Sequence, residues 1–160
     1  MYATRIDVSI SVREKVVPLL QAHLTNCVDL FTQVKQAHWN VKGPHFIALH
    51  ELFDRIAEIV EQQSDVLAER INALGGRANG TARIVAMQSS LTEFPLDAED
   101  GPIYVAAVAD KLSMFGKRVR IDICCAAKFG DAGTADILTE ISREIDRQLW
   151  SLDAHLQAER

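Results

Sequence analysis

The sequence predicts an all-α protein, one four-helix bundle with a single long crossover that carries a short helix. Three observations predict it. Apolar residues recur at helical spacing in four separate runs. Glycine and proline break the pattern between those runs. Of the three connections, two are a few residues long and one is far longer. At 160 residues the chain suits a single domain over 1–160, long enough to bury a core without staples.

The first helix is expected to start at a capping box made by Ser11 and Glu14. It carries Val16, Leu20, Leu24, Val28, Phe31 and Val34 and ends near Val41, with Pro18 expected to kink its first turns. Gly43 and Pro44 stop it. A second run through Phe46, Leu49, Phe53, Ile56, Val60, Leu67, Ile71 and Leu74 ends at Gly75 and Gly76. The third begins with Pro102 in its first turn, carries Ile103, Ala106, Leu112, Phe115, Val119 and Ile123, and stops at Gly130. Thr134 is the expected cap of the fourth, which buries Ile137, Leu138, Ile141, Ile145, Leu149 and Leu152.

Connection length then sets the topology. The first and second helices, and the third and fourth, are joined too closely to be anything but antiparallel hairpins. From Gly75 to Gly101 the chain has enough length to cross the bundle, with a short helix around 82–87. The second and third long helices therefore run parallel; a plain up-and-down bundle is the alternative.

Composition narrows the function. Hydrophobic residues make up 48% and charged residues 24%, interspersed, as in a soluble globular chain. No apolar run approaches the roughly 20 residues of a membrane helix, and the start resembles no signal peptide, so a cytoplasmic location is expected. Cys27, Cys124 and Cys125 show no CxxC spacing and are expected to be buried, reduced thiols. A net charge of -5 repels phosphates and attracts cations.

Five residues have the character of metal ligands: His38, His50, Asp54, Asp65 and Glu69. Imidazole and carboxylate without thiolate suit iron, zinc or manganese. His38 precedes the first break, and His50 follows it, by about one turn, so the hairpin sets them at similar depth. His50 and Asp54 are four residues apart, as are Asp65 and Glu69, and all four fall within an arc of about 100° on the second helix. Yet roughly 16 Å of axis separates Asp54 from Asp65, far beyond the reach of one metal ion.

The two pairs are, however, symmetric about a point between Ile59 and Val60. A second copy of this helix, antiparallel across a two-fold axis there, would set His50 and Asp54 of one chain against Glu69 and Asp65 of the other. Two identical sites result, each joined by His38.

The stretches KQAHWNVKG at 35–43, FIALHELFD at 46–54 and DVLAERINALGG at 65–76 resemble the Dps family, the DNA-protection-during-starvation branch of the ferritin superfamily. TADILTEISREIDRQLW at 134–150 is similar to that family's last helix, so the resemblance spans nearly the whole chain. It implies a ferritin-like subunit of a hollow dodecamer that oxidises ferrous iron, preferentially with hydrogen peroxide and otherwise with dioxygen, and stores the ferric mineral inside. It also implies that His38, His50 and Asp54 come from one subunit and Asp65 and Glu69 from its two-fold mate, as the spacing does.

Competing readings are weaker. No histidine follows a glutamate by three residues, as the within-bundle sites of larger ferritins require, and no His-Glu-x-x-His points to zinc hydrolysis. DNA condensation is the alternative function, but residues 1–10 hold only Arg5 and the last four are QAER, so a basic tail is not expected to bind phosphates. Trp39, next to a ligand, reads either as a radical trap or as a packing or interface residue. Asp131, Asp136 and Glu140, at the start of the fourth helix, read either as an acidic entry pore or as acids complementing the helix dipole. His23, His45 and His155 are expected to be structural or solvated.

Overall fold

The computed structural model describes residues 1–157. The tail residues Ala158 to Arg160, part of the QAER end, lie outside the described residues. Five helices follow in order: α1 (Ile10–Asn40), α2 (Phe46–Ala73), α3 (Ala82–Gln88), α4 (Gly101–Phe129) and α5 (Ala132–Gln157). No strand occurs among the described residues, and no helix there is long and apolar enough to cross a membrane.

The contacts fix the directions of the four long helices. His38 lies beside His50, and the buried Cys27 Sγ donates to Val60 O at 3.3 Å, so α1 and α2 are antiparallel. Arg120 meets Asp146 at 2.7 Å, which makes α4 and α5 antiparallel too. Gly101, first in α4, sits so close to Leu49 near the start of α2 that a Cβ would fall 2.7 Å from Leu49 Cδ1. At the other end, Arg70 of α2 reaches Asp131 at the start of α5. Hence α2 and α4 run parallel, and the segment joining them is the single crossover. Asn26 of α1 fastens that crossover, its Oδ1 accepting the Ser90 N–H at 2.9 Å.

Helix ends show where local reading succeeds and fails. Asp100 caps α4 by accepting the Ile103 N–H at 3.0 Å, Pro102 sits in the first turn, and Gly130 takes the left-handed φ of 91° at the C-cap. The capping box at Ser11 does not form. Helix α1 begins at Ile10, where the Ser9 carbonyl accepts the Val12 and Arg13 N–H groups, and Ser11 is already in the first turn. Thr134 does not cap α5 either; Asp131 does, its carboxylate accepting the Thr134 N–H at 2.9 Å and the Thr134 hydroxyl at 2.7 Å. A carboxylate with two oxygens satisfies both donors at once, which a threonine cap cannot. Helix α1 continues through Pro18, whose exposed position leaves the unpaired carbonyl one turn back to water.

The core is made by side chains such as Leu20, Leu30, Phe53, Ile56, Leu67, Phe115, Leu138 and Ile145, all fully buried. At the start of α4 the expected face is rotated: Ile103 is exposed and Ala106 half-buried, while Tyr104, Val105 and Val108 point inward. Burial of all three cysteines does not hold. Cys27 is buried, and burial pushes its thiol up to about 12, but Cys124 is exposed and Cys125 half-buried, because adjacent helical positions face about 100° apart.

A buried polar pair joins α1 to α4 across this core. His23 of α1 is fully buried, edge-on to Phe115, with Nε2 3.0 Å from Asp122 Oδ2 of α4, although the ring N–H is not aligned for a hydrogen bond. Burial pushes the Asp122 carboxyl up, but its contacts with His23 and with Arg118 outweigh burial and hold it below the usual value of 3.8. A depressed carboxylate contributes stability above its unfolded pKa and loses it as pH falls through the folded value. Urea unfolding between pH 7 and pH 2 is therefore expected to show stability falling below about pH 4 with a shallower slope in Asp122→Asn. Identical slopes would remove this pair from the acid response.

Candidate metal centre

The α1–α2 turn brings His38, His50 and Asp54 together. Gly43 adopts φ of 102°, a conformation open to glycine, and its carbonyl accepts the Phe46 N–H at 3.0 Å, reversing the chain in a few residues. That reversal sets His38 and His50 face to face, ring centroids 3.8 Å apart and planes 22° from parallel. Each ring reaches the other's backbone: His38 Nδ1 lies 2.9 Å from His50 O, and His50 Nδ1 2.8 Å from His38 O. A carbonyl can only accept, so each Nδ1 carries a proton in this arrangement, which leaves each Nε2 as the ring's available metal-binding atom. Imidazoles held by carbonyls through Nδ1 in this way match the usual outer support of histidine metal ligands.

Asp54 stands beside them, Oδ1 3.8 Å from His38 Nδ1. Sequence reasoning missed its other neighbour: Lys35 Nζ donates to the same oxygen at 2.7 Å. That hydrogen bond holds the Asp54 carboxyl below its usual range. The signal was present, since Lys35 precedes His38 by three residues and so shares its helix face. Phe46 covers the His50 ring at 5.0 Å.

Asp65 and Glu69 do not join this group. Both are exposed further along α2, and neither takes part in an ion pair among the described residues. Within one chain no three His, Cys, Asp or Glu side chains gather to hold a metal among the described residues. The structure thus brings together His38, His50 and Asp54 and leaves Asp65 and Glu69 apart on the same helix. Ile47, three residues before His50 on that stripe, is 62% exposed, and Trp39 is 66% exposed.

The α5 acids divide as well. Asp131, its side chain 1% exposed, is committed to capping α5 and to Arg70 Nη2 at 2.6 Å. Its buried position makes it a structural anchor in the chain, whereas Asp136 and Glu140 are exposed.

Comparison with known proteins gives the family and the fold. Residues 17–160 match the ferritin-like domain. A DNA protection during starvation protein of Agrobacterium fabrum is 35% identical over 156 residues, covering 98% of this chain and 96% of the relative. The chain belongs to the Dps family. Among solved structures, Mycobacterium smegmatis Dps superposes with a TM-score of 0.93 at 28% identity, covering 99% of this chain and 90% of that one. A Dps protein of Vibrio cholerae O1, described as a member of a broad superfamily of ferritin-like diiron-carboxylate proteins, superposes with a TM-score of 0.90 at 26% identity, covering 98% of each. For this Dps-family chain the single-crossover bundle is therefore the family fold.

Proposed function

We propose that this protein binds ferrous iron at two identical sites across a two-fold dimer interface, oxidises it, and stores the ferric product within a hollow oligomer, a dodecamer in the family's manner. The observation that carries this reading is the cluster of two stacked imidazoles, each held through Nδ1 by a backbone carbonyl, beside Asp54, with two exposed carboxylates placed symmetrically on the same helix. The exposed Ile47 on that stripe is the kind of surface a second copy of α2 covers. His38, His50 and Asp54 would come from one subunit, Asp65 and Glu69 from its mate. Trp39, at the margin of the site, has the exposure of an interface residue; a radical-trapping role is the other reading.

Neutral imidazole binds ferrous iron well, and carboxylates offset the charge that grows as it becomes ferric. Two ferrous ions supply the two electrons that reduce one hydrogen peroxide to water, so no hydroxyl radical is released. We read the protection named in the relatives as this chemistry, with binding of DNA secondary to it. Peroxide is expected to oxidise anaerobically bound ferrous iron much faster than air does, followed by stopped-flow absorbance of the ferric product. Iron that stays ferrous for hours with peroxide present would end the ferroxidase reading. In the same assay, Asp136→Asn with Glu140→Gln should slow uptake without removing binding if those acids line the entry route; an unchanged rate would leave them the role of surface acids.

Lys35 opposes the first step. A cation binding Asp54 must displace its ammonium or tolerate it a few ångströms away. Lys35→Met is expected to tighten binding of cobalt(II), a redox-quiet stand-in for ferrous iron, by roughly tenfold or more, the scale of removing one positive charge beside a divalent ion. Unaltered or weaker binding in calorimetry would show that Lys35 orients Asp54 instead of competing for it.

A further inference from the structure

The crossover lies over a face of α1 that the centre above does not use. Five residues of α1 turn the helix about 140° from Gln33 to His38, so Gln33 and Asp29, one turn before it, serve a different side of the helix. There α1 and the crossover enclose a groove of about 400 Å³ whose polar lining is Asp29, Gln33, Ser89 and Glu93. Direct hydrogen bonds hold three of these together. Gln33 Nε2 donates to Asp29 Oδ1 at 3.1 Å and to Thr92 O at 3.2 Å, and Ser89 Oγ donates to Asp29 Oδ2. Leu91, Phe94 and Leu96 of the crossover make the apolar wall.

Charge and hydrogen bonding are both left incomplete in this groove. Asp29 is half-buried and receives only those two neutral donors, and neither it nor Glu93 takes part in an ion pair among the described residues. Gln33 is 8% exposed, and its Oε1 has no hydrogen-bond partner among the described residues. A buried amide oxygen in that state costs free energy that a donor would recover. Lys111 reaches the crossover from α4 but gives its N–H groups to Thr92 Oγ1 and Glu93 O, so its charge meets no carboxylate. A metal ion does not suit the lining, because no three His, Cys, Asp or Glu side chains gather among the described residues. Acceptor oxygens and negative charge beside an apolar wall suit instead a ligand that is a cation, a hydrogen-bond donor and part hydrocarbon. We propose that this groove binds the ammonium group of a small aliphatic amine, which donates to Asp29 and to Gln33 Oε1, lays its alkyl chain along Leu91, Phe94 and Leu96, and has Glu93 at its rim. An occupant bonded to α1 and packed on the crossover holds the two together and stabilises the bundle by mass action.

The site does not depend on the iron reading, so the metal-free, full-length protein serves for the test. Titrated by calorimetry near neutral pH, n-butylammonium is expected to bind at about one per chain and to raise the unfolding temperature, whereas n-butanol, of the same length but uncharged, should do neither. Asp29→Asn keeps the side-chain shape, removes the charge, and should weaken amine binding roughly tenfold or more. Glu93→Gln, at an exposed position whose carboxylate has no bonded partner among the described residues, should weaken it roughly threefold. Affinity unchanged in both variants, n-butanol binding as tightly as the amine, or no binding of the amine at all overturns the proposal. Should Asp29→Asn fail to fold, Glu93→Gln decides alone.

Discussion

Two inactive variants are expected to rescue each other when they assemble together. One carries His50→Ala with Asp54→Asn, the other Asp65→Asn with Glu69→Gln, and each alone should lack iron oxidation. In a mixed dimer the intact His50 and Asp54 of the second chain meet the intact Asp65 and Glu69 of the first, restoring one site, while the opposite site is broken on both sides. With random pairing about half of the dimers are mixed, so about a quarter of wild-type sites should return if the interface is isologous. Peroxide-driven iron oxidation in co-refolded protein, set against the two variants refolded separately and then mixed, measures this. A co-refolded sample that forms dimers yet stays as inactive as its parents would place all ligands within single subunits.

Breaking the Arg70–Asp131 pair should cost the fold more than any other single polar change. Asp131 is buried, its carboxylate bonded to Arg70 Nη2 at 2.6 Å and to the Thr134 N–H and hydroxyl, while Arg70 Nε also donates to Thr134 Oγ1 at 3.0 Å. These bonds join the end of α2 to the start of α5. Arg70→Ala leaves a buried carboxylate without its counter-charge, for which about 3–5 kcal/mol of stability is the usual loss. Asp131→Ala removes the cap of α5 as well, typically about 1 kcal/mol. The double variant should lose less than the sum of the single ones, since neither charge is then stranded. Urea unfolding of the set measures this, and losses below about 1 kcal/mol with no coupling would show the pair to be solvated and unimportant. Because Asp131 holds α5 in place, slow iron uptake in an Asp131 variant would report on a disturbed fold; Asp136 and Glu140 are the positions that test entry.

Much of this molecule was legible in its residues. Four apolar runs at helical spacing, broken at Gly43, Gly75 and Gly130, specify the long helices, because burial of one face and the left-handed turn at glycine are local demands. Connection lengths specify the single crossover, since a few residues allow only a hairpin. The symmetric placement of His50, Asp54, Asp65 and Glu69 is a property of one helix and needs no contact to be seen. Other features depend on partners distant in the chain. Asp131 displaced Thr134 as the cap of α5 because Arg70, some sixty residues earlier, lies against it. The inward face at the start of α4 is Tyr104, Val105 and Val108 because neighbouring helices, not α4 itself, choose which side of a broadly apolar segment is covered. Lys35 on Asp54 and the reciprocal carbonyl contacts of His38 and His50 require the hairpin to close first. Periodicity is written into neighbouring residues, but the pairing of charges and ring nitrogens is settled by which helices touch.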